Sequence, residues 1–191
     1  ARHLEMELSR STVTGAEQQR HRPVGRRLPA LVTGAVLTLV LASSARAGWD
    51  EGLSAYKGGD FLGAILNWLP LARNGDARAQ EMLGFMYDLG EGVPENDWVA
   101  STWYKAAAEQ GATDAQLNLG VLLADGDGVR RDEVEAYKWL ELASRAKEEE
   151  VRRIALDLLV TLSGRMTETQ IGVARKLVRE WEQRQLVRNP R

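Results

Sequence analysis

Residues 89–97 read LGEGVPEND, and a similar stretch, DGDGVRRDE, follows thirty-six residues later at 125–133. The two stretches share their glycines and a valine in the same register, at Gly90, Gly92 and Val93 and at Gly126, Gly128 and Val129. Closely spaced glycines occur in phosphate-binding loops and also in tight turns after helices. A second copy at a fixed distance favours the turn, because an internal period is typical of stacked-repeat folds.

The period extends well beyond the glycines. At an offset of 36, residues 75–110 and 111–146 share eleven identical pairs, where average composition would give roughly two or three by chance over 36 positions. The first members of these pairs are Gly75, Ala79, Gln80, Leu83, Gly84, Gly90, Gly92, Val93, Ala100, Trp103 and Ala107. Apolar residues at i, i+4 and i+7 on both sides of the glycine turn predict two helices in each unit.

Residues suited to helix ends flank these predicted helices. Gly90 and its counterpart predict left-handed C-caps, whereas Asn96 and Asp132 predict N-caps of the helices that follow. The stretch from Thr113 to Gln116 predicts a capping box at the start of the next unit. Both copies of the glycine stretch therefore connect two helices.

The repeated pattern, AQxxLGxxY, GxGV and AxxWYxxAAxxG, resembles the Sel-one-like repeat of the tetratricopeptide-like α-solenoids. In the first copy it comprises Ala79, Gln80, Leu83, Gly84, Tyr87, Gly90, Gly92, Val93, Ala100, Trp103, Tyr104, Ala107, Ala108 and Gly111. The resemblance implies an all-α fold, a right-handed α-solenoid of stacked antiparallel helix pairs with about eight helices. The second copy departs from the motif at Leu123, Leu140 and Lys147, which weakens the expectation that it packs its successor in the family manner.

The period also divides the chain. We expect a divergent N-terminal helix pair at 48–74, repeats at 75–110 and 111–146, and a C-terminal capping pair at 147–191. Within the last segment, Thr167 to Gln170 predicts another capping box. Terminal units of this kind close a solenoid, whose internal units bury their apolar faces on one another.

The first 47 residues differ in character from the rest. Arg26 and Arg27 precede the apolar run 28–42, and Ala45-Arg46-Ala47 follows it. This order predicts a signal peptide cleaved after Ala47 and export, in a bacterium to the periplasm. Fifteen helical residues rise about 22 Å against a hydrocarbon core of about 30 Å, so we expect no stable membrane span in the mature chain. The alternative is a protein anchored by uncleaved residues 28–45.

Composition bears on which partners and chemistries to expect. Beyond residue 47 the chain has 18 Lys and Arg against 24 Asp and Glu, and this acidic balance argues against a nucleic-acid partner. The same region lacks His and Cys, which removes the Ser-His-Asp triad, a thiol nucleophile and the usual zinc ligands. Neither glycine stretch matches a P-loop or an EF-hand. We therefore expect no enzyme, no cofactor and no metal site.

Function is then expected to lie on a binding surface. In tetratricopeptide-like solenoids the first helix of each unit lines the concave face, and the resemblance gives the lining residues. They are Arg78, Glu81, Phe85, Asp88, Asp114, Leu117 and Val121. Such a surface suits a protein or peptide partner, with apolar anchors and carboxylates that set the register. Alternatively, Leu117 and Val121 only pack against a neighbouring helix.

The sequence thus predicts an exported, non-catalytic scaffold for protein–protein interaction in the bacterial envelope. The alternative is a protein associated with peptidoglycan or carbohydrate, conceivably with hydrolytic activity. Six tryptophans invite a sugar-stacking interpretation, but Trp103 and Trp139 recur at the period and are expected in the core. Trp98 is less constrained and could be exposed.

Overall fold

The computed structural model describes residues 48–188. Every regular element in this range is a helix, which confirms the predicted all-α fold with eight helices. The helices are α1 over 48–57, α2 Phe61–Arg73, α3 Ala77–Leu89, α4 Asp97–Ala108, α5 Thr113–Asp125, α6 Glu133–Ala143, α7 Glu149–Ser163 and α8 Glu168–Arg188.

Helices that follow one another in the chain pack together from α2 to α7. The first helices of successive units also make contact, α3 with α5 and α5 with α7. This pattern is that of a solenoid, in which each pair packs on the next. At the C-terminal end α6 contacts both α7 and α8. The fourth pair thus closes the stack by packing against α6.

The helix caps follow the sequence closely at most positions. Asn96 accepts a hydrogen bond from Val99 N at 3.0 Å, and Asp132 accepts one from Glu135 N at 3.0 Å. The predicted capping box at Thr167 is also confirmed, since Thr167 N donates to Gln170 Oε1 at 2.8 Å. Each of these bonds satisfies a backbone N–H that the first turn of a helix leaves free.

The capping box predicted at Thr113 is wrong. Thr113 is already helical, and the preceding Ala112 offers no side-chain cap. Gln116 instead donates from Nε2 to Ala108 O at 3.2 Å, while Gln80 donates to Ala72 O at 2.9 Å. Both glutamines are buried and link the first helix of one unit to the last turn of the unit before it. The repeated glutamine therefore connects neighbouring units through a hydrogen bond from its side chain to a backbone carbonyl.

The glycine turns also join neighbouring units. Gly90 and Gly126 cap α3 and α5 in the left-handed conformation, as predicted. Gly92, at φ +77°, lies so close to the start of α2 that a Cβ would be 2.7 Å from Phe61 Cβ. Gly128 lies equally close to α4, where an added Cβ would be 2.2 Å from Asp97 Cβ. The second residue after each left-handed cap has to be small because a preceding helix occupies the space.

Large buried side chains fill the stack. Trp68, Leu83 and Met86 form the core of the first units, with Trp49 stacked on Trp68 at 5.4 Å between ring centroids. Trp139 meets Trp181 of α8 edge to face at 6.5 Å. Trp139 is buried as predicted, whereas the equivalent Trp103 is only partly buried.

Candidate functional site

The predicted lining residues lie on α3 and α5, the first helices of the two central units. Asp76 caps α3 by accepting hydrogen bonds from Arg78 N and Ala79 N, both at 3.0 Å. Helical spacing of three and four residues then places the remaining predicted residues of α3 along one side of that helix. The same holds on α5, and we refer to these seven residues together as the inner face.

The N-terminal end of the inner face is basic and aromatic. The Arg78 guanidinium carbon lies 4.5 Å from the centroid of the Trp49 ring, and Arg78 Nη2 lies 3.3 Å from Asp76 Oδ2. An arginine over an indole ring gains a cation–π attraction. Arg78 remains largely exposed, so its guanidinium is held in place and is still accessible to a ligand.

The centre of the inner face carries two carboxyl groups from neighbouring units. Glu81 of α3 is half-buried, and Asp114 of α5 is exposed. Burial, followed by the negative charge of Asp114, raises the pKa of Glu81 from 4.5 to about 7. Both causes disfavour a second negative charge at this place. A cation placed between the two carboxylates would remove the repulsion.

A tyrosine supports the far end of the inner face. Tyr104 Oη on α4 donates to Asp88 Oδ2 at 3.2 Å. Burial raises the pKa of Asp88, and Asp97 and Glu95 add to the effect, although the bond from Tyr104 opposes it. Burial and the Asp88 charge in turn raise the pKa of Tyr104. The Tyr104 hydroxyl therefore keeps its proton and holds the Asp88 carboxylate in position.

The apolar residues of the inner face differ in accessibility. Phe85 and Val121 are partly buried, and Phe85 packs against the core around Tyr104. Leu117 is only 8% exposed and lies in a cluster that includes Ala155 of α7. Because α7 packs on α5, Leu117 contributes to the core. Phe85 and Val121 are the apolar residues of this face that a partner could reach.

The acidic residues of the inner face have no basic partner among the described residues. Within 48–188 the ion pairs include none of Glu81, Asp88 and Asp114. In the same range no group of three or more His, Cys, Asp or Glu is arranged to hold a metal ion. The face therefore offers carboxylates as acceptors for a cationic group.

Two residues of this surface were missed at the level of sequence. Tyr104 stood out only as a residue of the repeat motif, which Leu140 replaces in the next unit, and its bond to Asp88 is visible only in the structure. Trp49 lies in the divergent first unit, where no repeat partner marks it. Its contact with Arg78 depends on how α1 packs, which local pattern does not specify.

The predicted signal peptide and the alternative anchor at 28–45 lie outside the described residues. Within 48–188, none of the helices has the length and apolar character needed to cross a membrane.

Comparison with known proteins identifies the repeats. The Sel1 repeat family matches residues 77–111 and 113–147. A search of curated proteins gives no match. Among solved structures, the chain is similar to a protective antigen present in uropathogenic Escherichia coli strains that displays an SLR fold. Their identity is 27% and the TM-score is 0.65 over 72% of this chain and 29% of the antigen.

A Sel1 repeat protein from Oxalobacter formigenes is also similar, at 33% identity and a TM-score of 0.51. That match covers 56% of this chain and 44% of the Oxalobacter chain. The present chain therefore spans less than half the length of either solved protein that it matches. The two matched repeats occupy α3 to α6 and the structural likeness reaches beyond them, so the chain contains two Sel1 repeats within a helical solenoid of the SLR type.

Proposed function

We propose that this protein is an exported, non-catalytic scaffold of the bacterial envelope that binds a basic segment of another protein on its inner face. Sel1-repeat proteins are typically protein-interaction scaffolds, which supports the general role. The observation that carries the finer proposal is the set of three carboxylates, Glu81, Asp88 and Asp114, that have no ion pair within 48–188.

Charge complementarity defines the partner. Burial, and then repulsion from Asp114, raises the pKa of Glu81, and a lysine or arginine between the two carboxyl groups would relieve the repulsion. Asp88, held by Tyr104, offers a second acceptor two helical turns along α3. Phe85 lies between these acidic positions as an apolar contact, and residues of this kind dominate the affinity of small interfaces. The expected partner segment therefore has basic residues flanking an apolar one.

Site-specific photo-crosslinking in cells tests this proposal. A crosslinking residue in place of Phe85 should capture one protein through a basic segment, whereas the same residue in place of the exposed Val160 on α7 should not. The double variant Glu81→Gln with Asp114→Asn should weaken binding of the purified partner about tenfold, and this loss should shrink at high salt.

The matched control is Asp125→Asn with Asp127→Asn, which removes two exposed charges at the other end of α5. This control should bind the partner as the parent does. Equal capture at both crosslinking positions, or equal losses in both double variants, would exclude the inner face as the binding surface. Export is tested separately: the envelope form should begin at Gly48, and retention of 28–45 in a membrane fraction would support the anchor instead.

One exposed side chain favours the second candidate, association with peptidoglycan or carbohydrate. Trp98 at the start of α4 is 64% exposed, and an exposed indole ring can stack on a sugar. Sedimentation with purified cell wall distinguishes the two functions. Loss of wall binding in Trp98→Ala, with partner capture at Phe85 absent, would favour this candidate over the scaffold.

A further inference from the structure

A cavity of about 560 Å³ opens between α4 and α6, the second helices of the two matched repeats. Its floor is apolar and comes from Leu119, Leu123 and Val129. Lys105 and Glu109 line it from α4, and Glu135 and Lys138 line it from α6. Ligand pockets typically have volumes of about 300–1,000 Å³, with an apolar lining and a few convergent polar groups. The cavity has both features.

This cavity lies on the opposite side of α5 from the inner face. Leu123 follows Asp114 by nine residues, and nine residues of an α-helix correspond to a rotation of about 180° beyond two full turns. Asp114 belongs to the inner face and Leu123 to the cavity floor. A ligand in the cavity would therefore leave the inner face free.

Lys138 is the unusual residue of the cavity. It is only 5% exposed, and its Nζ donates to Glu135 Oε2 at 3.0 Å and lies 3.8 Å from the centroid of the Trp139 ring. A buried ammonium is costly unless it is paired and hydrogen-bonded. It has three N–H donors, and a single carboxylate oxygen accepts from it within 48–188. A ligand carboxylate can accept another.

The repeat architecture does not require this lysine. Thr102 occupies the same register in the preceding unit, thirty-six residues earlier, and it is exposed. The fold therefore accommodates an uncharged side chain at this position. The burial of an ammonium in one unit alone points to a local role in the cavity.

The opposite wall has a complementary pair. Lys105 and Glu109 are one helical turn apart on α4, and within 48–188 neither belongs to an ion pair. Each wall thus carries one ammonium and one carboxylate. A ligand with a single charge would meet repulsion as well as attraction here, whereas a dipolar ligand has a partner for each of its ends.

We propose that this cavity binds a zwitterion with an apolar body, namely a short peptide with free ends and an apolar side chain. Its carboxylate accepts hydrogen bonds from Lys105 and Lys138, and its ammonium donates to Glu109. Its side chain packs on Leu123 and Val129. This binding is separate from the partner proposed for the inner face.

Isothermal titration of the full chain with the dipeptide leucyl-leucine tests the assignment. Saturable binding of the free dipeptide is expected. Its N-acetyl form and its C-terminal amide should each bind about tenfold more weakly, because each loses a charge-assisted hydrogen bond. Equal binding of a doubly blocked dipeptide would show a purely apolar site and overturn the proposal, as would absence of binding by the free dipeptide.

Variants locate the site and separate it from the inner face. Lys105→Met and Glu109→Gln should each weaken the dipeptide about tenfold, whereas Lys147→Met, at an exposed lysine outside the cavity lining, should bind as the parent does. Leu123→Trp, which fills the cavity, should abolish binding while circular dichroism remains helical. The double variant Glu81→Gln with Asp114→Asn should leave dipeptide binding unchanged. Loss of binding in that variant or in Lys147→Met would place the ligand elsewhere.

Discussion

Replacement of Gly92 by alanine tests whether the glycine turn packs closely against α2 of the preceding unit. Gly92 has φ +77°, a conformation in which a Cβ costs about 1–2 kcal/mol. The new Cβ would also lie 2.7 Å from Phe61 Cβ and 2.9 Å from Phe61 C. Since the second contact is with backbone, the neighbouring helix must shift, and overpacking of this kind costs about 1–3 kcal/mol. The free energy of unfolding should fall by about 2–5 kcal/mol in total.

Gly75 provides a matched control for the backbone part of this cost. Its φ is +92°, and nothing lies within 4 Å of a Cβ added there. Gly75→Ala should therefore cost only the backbone strain, about 1–2 kcal/mol. Denaturant unfolding followed by circular dichroism measures both variants on the same chain. The difference between them isolates the contact of the turn with α2.

The outcome that contradicts the reasoning is equal destabilisation by the two substitutions. That result would mean that the turn has room above α2, so that Gly92 is needed for its φ alone. Gly128→Ala extends the test to the second copy, where the added Cβ would be 2.2 Å from Asp97 Cβ. It should destabilise at least as much as Gly92→Ala. Gly92→Ala should leave dipeptide binding in the cavity between α4 and α6 unchanged per folded molecule.

Three further predictions concern the joints and the inner face. Gln116→Leu should lower the free energy of unfolding by about 1 kcal/mol, because the hydrogen bond to Ala108 O is lost. Denaturant unfolding measures this change, and Gln183→Leu on the exposed surface of α8 is the control. The pKa of Glu81 is raised from 4.5 to about 7 in the folded protein, so the folded state binds this proton more tightly than the unfolded chain does. The resulting stabilisation is fully present below pH 4.5 and is lost as the pH rises through 7. Glu81→Gln should therefore be more stable than the parent at pH 8, by about 1–2 kcal/mol after allowance for solvent screening, and thermal unfolding at pH 5 and pH 8 should show the difference shrinking at the lower pH. Leu117→Asp should lower the free energy of unfolding by about 3 kcal/mol or more, because it buries a charge, whereas Asp114→Asn should leave it nearly unchanged in the same measurement.

The repeated positions were the ones that sequence could predict. Gly90, Asn96 and Asp132 are local signals, since each satisfies or permits a backbone conformation within a few residues. The period itself identified the pairing of helices, because only a stacked unit explains matching residues at a fixed offset. Thr113 misled the prediction because Gln116, its partner in the expected capping box, is used in a contact with the preceding unit.

Contacts between distant elements could not be predicted in the same way. The Trp49 ring of α1 lies beside Arg78 of the next unit, and neither residue belongs to the repeat identities. The repeat pattern left open whether Leu117 lines the surface or packs against a neighbouring helix. Its burial depends on α7, which no longer follows the repeat motif. The pKa of Glu81 likewise depends on Asp114 from the next unit.

Positions at which the two repeats differ are where this protein's own properties lie. Tyr104 positions Asp88 on the inner face, whereas its counterpart Leu140 only packs. Lys138 is buried in the cavity between α4 and α6, whereas its counterpart Thr102 is exposed. Identical positions hold the stack together through caps, joints and close contacts, and substitutions there should act on folding. Lys138→Thr should instead change what the cavity between α4 and α6 binds and leave a folded solenoid. Tyr104→Leu also removes part of a fully buried ring, so it should both release Asp88 and lower the free energy of unfolding.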